Sequence, residues 1–323
     1  MNHPPIKHNK TGILLVNLGT PDGTDYFSIR RYLKEFLSDR RVIEVPRIIW
    51  FFVLNFIILS FRPLKVAKNY KSIWRNSTNE SPLRYYTREL ANKIKPKNGE
   101  VVEWAMCYGN PSIKSKIQAL RDAGCDNLKV IALYPQYSAT TTAAVYDRVF
   151  DALKTLRWQP GLQTIQGYHD NPVYIKALAN SVKKHLKTLS YTPDKIICSF
   201  HGIPQSYFDK GDPYQCYCHK TTRLLREELG YNEEQMSITF QSRFGPKAWL
   251  QPYTDVTVEQ LAKDGVESIA IITPGFAADC LETIDEIGEE VKEIFLQNGG
   301  KNFSFIPCLN NSADGVKVVQ AIV

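Results

Sequence analysis

The chain is predicted to be an α/β protein of two doubly wound domains, each a four-stranded parallel sheet covered on both faces by helices. Three observations carry this. Eight short, β-branched apolar runs recur along the 323 residues, amphipathic stretches of helical period lie between most of them, and the two halves echo one another. Strands that are apolar throughout, rather than alternating, belong to parallel sheets buried on both sides. The length suits two domains of about 150 residues each.

In the first half the strands are "GILLVNLG" (12–19), "VVEWAMCYG" (101–109), "NLKVIALYP" (127–135) and "LQTIQGY" (162–168). In the second they are "KIICSFHG" (195–202), "SITFQSR" (237–243), "ESIAIITP" (267–274) and "FSFIPCLN" (303–310). Segments such as "VYIKALANSVKKHLKTL" and "TVEQLAKDGV" read as the covering helices. "VIALYPQYSATTTAAVYDRV" and "IAIITPGFAADCLETIDEIG" share a strand, a proline, an aromatic two residues later, small residues and then a helix. The division is placed near Leu162, giving domains 1–161 and 162–310, with 311–323 a C-terminal helix packing back.

Composition narrows the function classes. Hydrophobic content of 43% and charge of 23% are those of a folded globular chain. Forty Lys and Arg face 33 Asp and Glu, a modest +7, with neither an arginine-rich arm nor zinc-finger spacing, so nucleic acid is not an expected partner. An acidic small molecule or an anionic membrane surface fits that charge. Seven scattered cysteines suit reduced thiols in a cytoplasmic protein, and the polar start "MNHPPIKHNKTG" carries no secretion pattern. The longest apolar run, Ile48 to Phe61, is fourteen residues. As a helix it spans roughly 21 Å against a hydrocarbon core of roughly 30 Å, so no crossing is expected.

The candidate chemistry starts at "IICSFHGIP", where a buried strand ends on His201, then Gly202, then Pro204. In open α/β sheets ligands bind at the carboxyl ends of strands, which makes a titratable ring there a candidate. No Gly-x-Gly-x-x-Gly or Gly-x4-Gly-Lys-Ser/Thr loop follows a strand, and "VNLGTPDG" reads as a turn, so nucleotide binding loses support. Glu282, Glu286 and Glu290, at i, i+4 and i+8, make one acidic stripe if a helix starts after Asp279. Like charges four apart cost a helix roughly 0.2–0.5 kcal/mol per pair, so something should compensate. A capping box between Asp279 and Glu282 explains the first glutamate and leaves Glu290 unexplained. Tyr108, Tyr134, Tyr137, Tyr207, Phe208, Trp249 and Phe276 lie near strand ends, as a flat apolar ligand would require. "CYCH" (Cys216, Cys218, His219) lacks the second ligand pair of a structural zinc site.

Together these segments resemble the ferrochelatase family, whose members insert ferrous iron into a porphyrin. The resemblance runs through "GILLVNLGTP", "FLSDRRV", "YPQYSATTT", "SFHGIP", "GDPYQCYCHKTT", "FQSRFGPKAWLQPYTD" and "PGFAADCLETIDEI", collinear over nearly the whole chain. It implies a chelatase-like fold of two Rossmann-like domains enclosing a porphyrin cleft. It also implies a lyase that converts Fe2+ and protoporphyrin IX to protohaem, with two protons released, as the terminal step of haem biosynthesis. His201 and Glu282 fall on the catalytic positions, on opposite walls; His201, Glu282, Glu286 and Glu290 fall on the iron's route. Tyr108, Trp249, Arg62, Ser81 and Phe276 fall on substrate-binding positions, and 46–63 on the porphyrin-entrance lip.

The resemblance further implies no cofactor beyond substrate iron, no iron–sulfur cluster, a monomer, and cytoplasmic location with peripheral contact at the inner face of the membrane. Cys107, Cys280 and the "TNESP" turn depart from the commoner family pattern. The alternatives are coproporphyrin III as substrate, cobalt insertion into sirohydrochlorin, and a porphyrin or haem carrier without turnover. The apolar lip favours protoporphyrin IX over the first.

Overall fold

The computed structural model describes residues 10–97 and 99–323. The first nine residues of the stretch read for a secretion signal lie outside the described residues. The chain divides into two compact units: 1–133, 139–167 and 319–323 form one, and 134–138 with 168–318 form the other.

The first unit holds β1 (Lys10–Thr20), β2 (Val101–Gly109), β3 (Cys125–Ala132) and β4 (Gly161–Ile165) in the order β2-β1-β3-β4, with every pair parallel. The second holds β5 (Lys195–His201), β6 (Met236–Gln241), β7 (Ser268–Ile272) and β8 (Asn302–Ile306) in the order β6-β5-β7-β8, again parallel. The echo between the halves is therefore a repeated topology. Central strands are buried on both faces: Ile13 to Val16 and Ile269 to Ile271 show no exposed surface. That is why they read as unbroken apolar runs. Under the second sheet Ile197, Val258, Ile269, Ile271, Ile287 and Phe295 form one core.

The chain changes units later than the sequence places it. A division at Leu162 falls inside β4, whose pairing with β3 from Asn127↔Gly161 onward carries it into the first sheet. The change comes after Gly167. The final helix forms as expected (Ala313–Ile322), and its last residues, Val319–Val323, group with the first unit. The first strand forms as expected and runs to Thr20, with the turn of "VNLGTPDG" following it: Gly19 pairs with Tyr108 at φ +123°, and a Cβ there would lie 1.9 Å from the Tyr108 carbonyl oxygen. Only glycine permits that approach.

The apolar segment is longer than its composition indicates. Helix Arg47–Phe52, a π turn Val53–Ile58 and helix Leu59–Ile73 run on without interruption. At 27 residues, or about 40 Å, this is the one helix among the described residues long and apolar enough to cross a membrane by length and composition. The argument from fourteen residues therefore fails, because the helix continues through Arg62, Lys65, Lys68 and Lys71. Pro63 has no N–H to give the Leu59 carbonyl, and the Tyr26 hydroxyl donates to that oxygen instead, at 3.0 Å. One side packs on the unit through Leu54, Leu59, Ala67 and Tyr70, and through Trp50, whose indole N–H donates to the Leu37 carbonyl at 2.7 Å. The other side bares Ile48, Phe52, Phe56, Phe61 and Leu64, with Ile48 77% and Phe61 74% exposed.

Candidate active site

The order β6-β5-β7-β8 reverses direction between β5 and β7, and that reversal is the switch point where such sheets bind ligands. His201 ends β5 and Phe276 follows β7, with ring centroids 6.4 Å apart. His201 is half-buried, and its Nδ1 lies 2.6 Å from the Gly202 carbonyl oxygen. A carbonyl can only accept, so Nδ1 carries a proton, and in the neutral ring Nε2 keeps its lone pair. Gly202 is tightly enclosed: a Cβ would lie 2.9 Å from the Gln241 carbonyl oxygen and 3.2 Å from the Trp249 ring. Trp249 is fixed in turn by its indole N–H, which donates to the Phe244 carbonyl at 2.9 Å. The loop after β6 folds back beside the histidine turn through Gln205 N–H to Ala248 O at 2.9 Å and Leu250 N–H to Ile203 O at 3.0 Å.

The acidic stripe lies on a π segment, Glu282–Val291, rather than on an α-helix. Such wide turns concentrate at functional sites. The expected capping box does not form, since the Asp279 N–H is taken by Asn310 and the Asp279 carboxylate serves Thr283, Cys308 and Asn310. Glu282 is therefore not occupied as a cap. Glu286 is held by two residues that sequence reasoning passed over. Ser242 donates its N–H to Glu286 Oε1 at 2.8 Å and its hydroxyl to Oε2, and the Gln241 amide donates to Oε2 at 3.2 Å and to the Glu282 carbonyl at 2.8 Å. Ser199 donates to Gln241 Oε1 at 2.9 Å, which turns the amide nitrogen toward the glutamates. The available signal was a polar pair, Gln-Ser, ending an apolar strand, the same pattern that marked His201.

Burial pushes the Glu286 carboxyl above its ordinary value, and the Glu282 charge adds to the push. The Ser242 hydroxyl and the Gln241 amide pull the other way, as does His201 whenever its ring is protonated, without overcoming burial. His201, Glu282 and Glu286 thus act on one another within the second unit, while Glu290 is exposed further along the row. Among the described residues no three His, Cys, Asp or Glu side chains are arranged to hold a metal ion. The expected set His201, Glu282, Glu286 and Glu290 is not a preformed cage, because donors already engage both Glu286 oxygens.

Three expected substrate contacts belong to the first unit. Tyr108 has no exposed surface; its hydroxyl donates to Asp39 at 3.0 Å, and Arg148 lies over its ring at 4.4 Å. It serves as core, because neither ring face is open. Arg148 also bonds Glu35 at 2.8 Å, and burial pushes the neighbouring Cys107 thiol up to about 12. Ser81 is 1% exposed and caps the helix Pro82–Lys93 by accepting the Arg84 N–H at 3.2 Å. Beside it Glu80, from the "TNESP" turn, is buried against Arg88 at 2.6 Å. Arg62 is half-buried on the long helix, and burial lowers its pKa. In "CYCH", Cys216 is exposed and Cys218 buried on one helix, so the two thiols do not face a common ion.

Comparison with known proteins identifies the family. A ferrochelatase family model matches residues 10–323. Ferrochelatases from Allorhizobium ampelinum and Agrobacterium fabrum are 58% and 57% identical to the chain, over 99% and 100% of it and 94% and 95% of their own lengths. Among solved structures, SirB from Bacillus subtilis with Fe3+ superposes with a TM-score of 0.57 at 12% identity, covering 97% of this chain and 96% of its own. At that identity the likeness speaks for the fold alone. A family match from Lys10 to the last residue and relatives 58% and 57% identical over nearly their whole lengths lead to one conclusion: the chain belongs to the ferrochelatase family.

Proposed function

We propose that the protein inserts Fe2+ into protoporphyrin IX, with His201 and Glu282 at the macrocycle. Metalation removes two pyrrole protons and strips water from iron. The observation that supports this reading is the His201 Nδ1 bond to Gly202, which leaves an unprotonated Nε2 beside Glu282 and Glu286. Nε2 accepts a pyrrole proton. Burial raises the Glu286 pKa, which suits it to hold a proton, and the donors on both its oxygens compete with a metal ion there. In this reading the row from Glu282 to the exposed Glu290 carries protons outward. Trp249 and Phe276 supply flat apolar surface at the same strand ends. Anaerobic incubation with Fe2+ and either protoporphyrin IX or coproporphyrin III, followed at the Soret band, tests it. Turnover confined to coproporphyrin III overturns the substrate, and porphyrin binding without metalation leaves a carrier.

The same reading gives the long helix an interfacial role at the cytoplasmic face of a membrane. Its packed side ties it to a folded unit along its length, so it lies along a bilayer surface rather than through it. No Asp or Glu occurs from Val45 to Asn79, whereas Arg47, Arg62, Lys65, Lys68, Lys71 and Arg75 do. Exposed apolar side chains followed by cations suit anionic headgroups. Co-sedimentation with phosphatidylglycerol vesicles and with phosphatidylcholine vesicles tests the assignment, and binding to neither removes it.

A further inference from the structure

The turn that launches Glu282 is held from outside its own segment. Asp279 is 5% exposed, and its Oδ1 accepts the Thr283 hydroxyl and the Cys308 N–H, each at 3.1 Å. Its Oδ2 accepts the Asn310 side-chain amide at 2.6 Å, while its own N–H donates to Asn310 Oδ1 at 2.8 Å. The two residues bond reciprocally, donor to acceptor each way. Asn310 comes from the loop after β8, sits at φ +50°, and anchors its own N–H on the Ala277 carbonyl at 3.0 Å. Left-handed backbone of this kind admits Asn and Asp among the few non-glycine residues. One residue on, the Cys280 N–H donates to the Thr283 hydroxyl at 3.0 Å, so the clasp reaches into the first turn of the π segment. A buried carboxylate is stable only while such donors remain.

We infer that Asn310 is a positioning residue for metal insertion: acting through Asp279, it sets the angle at which the π segment presents Glu282 and Glu286, and touches no substrate itself. The inference rests on the reading that Glu282 works at the macrocycle. Asparagine alone suits the position, because it must give one hydrogen bond to Asp279 and take one back. Aspartate keeps the backbone and the acceptor but loses the donor and sets a second carboxylate against the first. Glycine keeps the backbone and loses both bonds. Exchanging the pair, Asp279→Asn with Asn310→Asp, restores every donor and acceptor with the charge on the other side: the new amide oxygen at 279 accepts from Thr283 and Cys308, and its nitrogen donates to position 310.

The test measures kcat and porphyrin KM per folded protein, with folding followed by circular dichroism and melting temperature. Asn310→Asp and Asn310→Gly are expected to lower kcat by about 10–100-fold, the range for residues that orient catalytic groups from behind, with porphyrin KM little changed. The exchanged pair is expected to recover most of that kcat. Wild-type kcat in Asn310→Gly overturns the inference, and so does an exchanged pair that regains the melting temperature but not kcat. If Asn310→Asp does not fold, Asn310→Gly and the exchanged pair carry the test. Glu282→Gln is measured alongside. If it stays active, the reading of Glu282 fails; if it is inactive while Asn310→Gly turns over normally, only the role of Asn310 fails.

Discussion

Ser242 and Glu286 are joined twice, by the serine N–H to Oε1 at 2.8 Å and by its hydroxyl to Oε2, and this requires Ser242 to stand in the left-handed region at φ +64°. A non-glycine residue held there is strained backbone beside the proposed chemistry. Ser242→Gly relieves the backbone and keeps the N–H, while Ser242→Ala keeps the strain; both remove the hydroxyl. The hydroxyl lowers the Glu286 pKa, so either change should raise it further and move the acid limb of the kcat profile to higher pH. Profiles that superpose on the wild type would exclude a proton-carrying Glu286.

Glu286 also makes stability depend on pH. Its folded pKa lies above its unfolded value, so the folded state binds the extra proton. Stability is then full below the ordinary glutamate value of about 4.3 and is lost as pH rises through the raised folded value. Melting temperatures across that window should fall in the wild type more than in Glu286→Gln, which has nothing to titrate there. Turnover should fall in the same variant. Equal pH slopes in the two proteins would contradict the buried assignment.

His201→Ala should abolish metal insertion while leaving the fold and much of the porphyrin binding, because the ring acts through Nε2 and is only half-buried. Gly202→Ala tests its seating. The added methyl meets the Gln241 carbonyl and the Trp249 ring, so Trp249 fluorescence should shift and turnover should drop with the histidine intact. Near-normal insertion by His201→Ala discards the mechanism.

Glu282→Gln should nearly eliminate chemistry, whereas Glu290→Gln should slow it only mildly, since Glu290 is exposed and Glu282 is not. Stopped-flow metalation at saturating and at scarce iron separates the two. Equal losses at both positions would argue against a graded row.

On the long helix, replacing Phe52, Phe56 and Phe61 with Ser should cost little stability, about 0.5 kcal/mol or less per site, and should release the protein from vesicles. Trp50→Ser should behave oppositely, destabilising by roughly 3–5 kcal/mol, as loss of a buried large aromatic does. Thermal melts beside vesicle binding distinguish a packed face from a docking face.

Local pattern alone carried the eight strands, the repeat between the halves, His201 at a strand end and the acidic stripe, within which the family resemblance singled out Glu282. Burial on both faces forces a central parallel strand to be apolar along its length, so that a polar or titratable residue at its end stands out without knowledge of the fold. What needed the tertiary structure depends on partners far away in the chain. Asp279 could cap its own segment or bond a loop thirty-one residues on, and nothing local decides between them. The width of the Glu282–Val291 turn, the burial of Tyr108 and Ser81, and the membership of β4 follow from what packs against each. The long helix is the clearest case: Trp50 and Phe52 are alike as residues, and only the surface beneath the helix determines that one is core and the other faces outward.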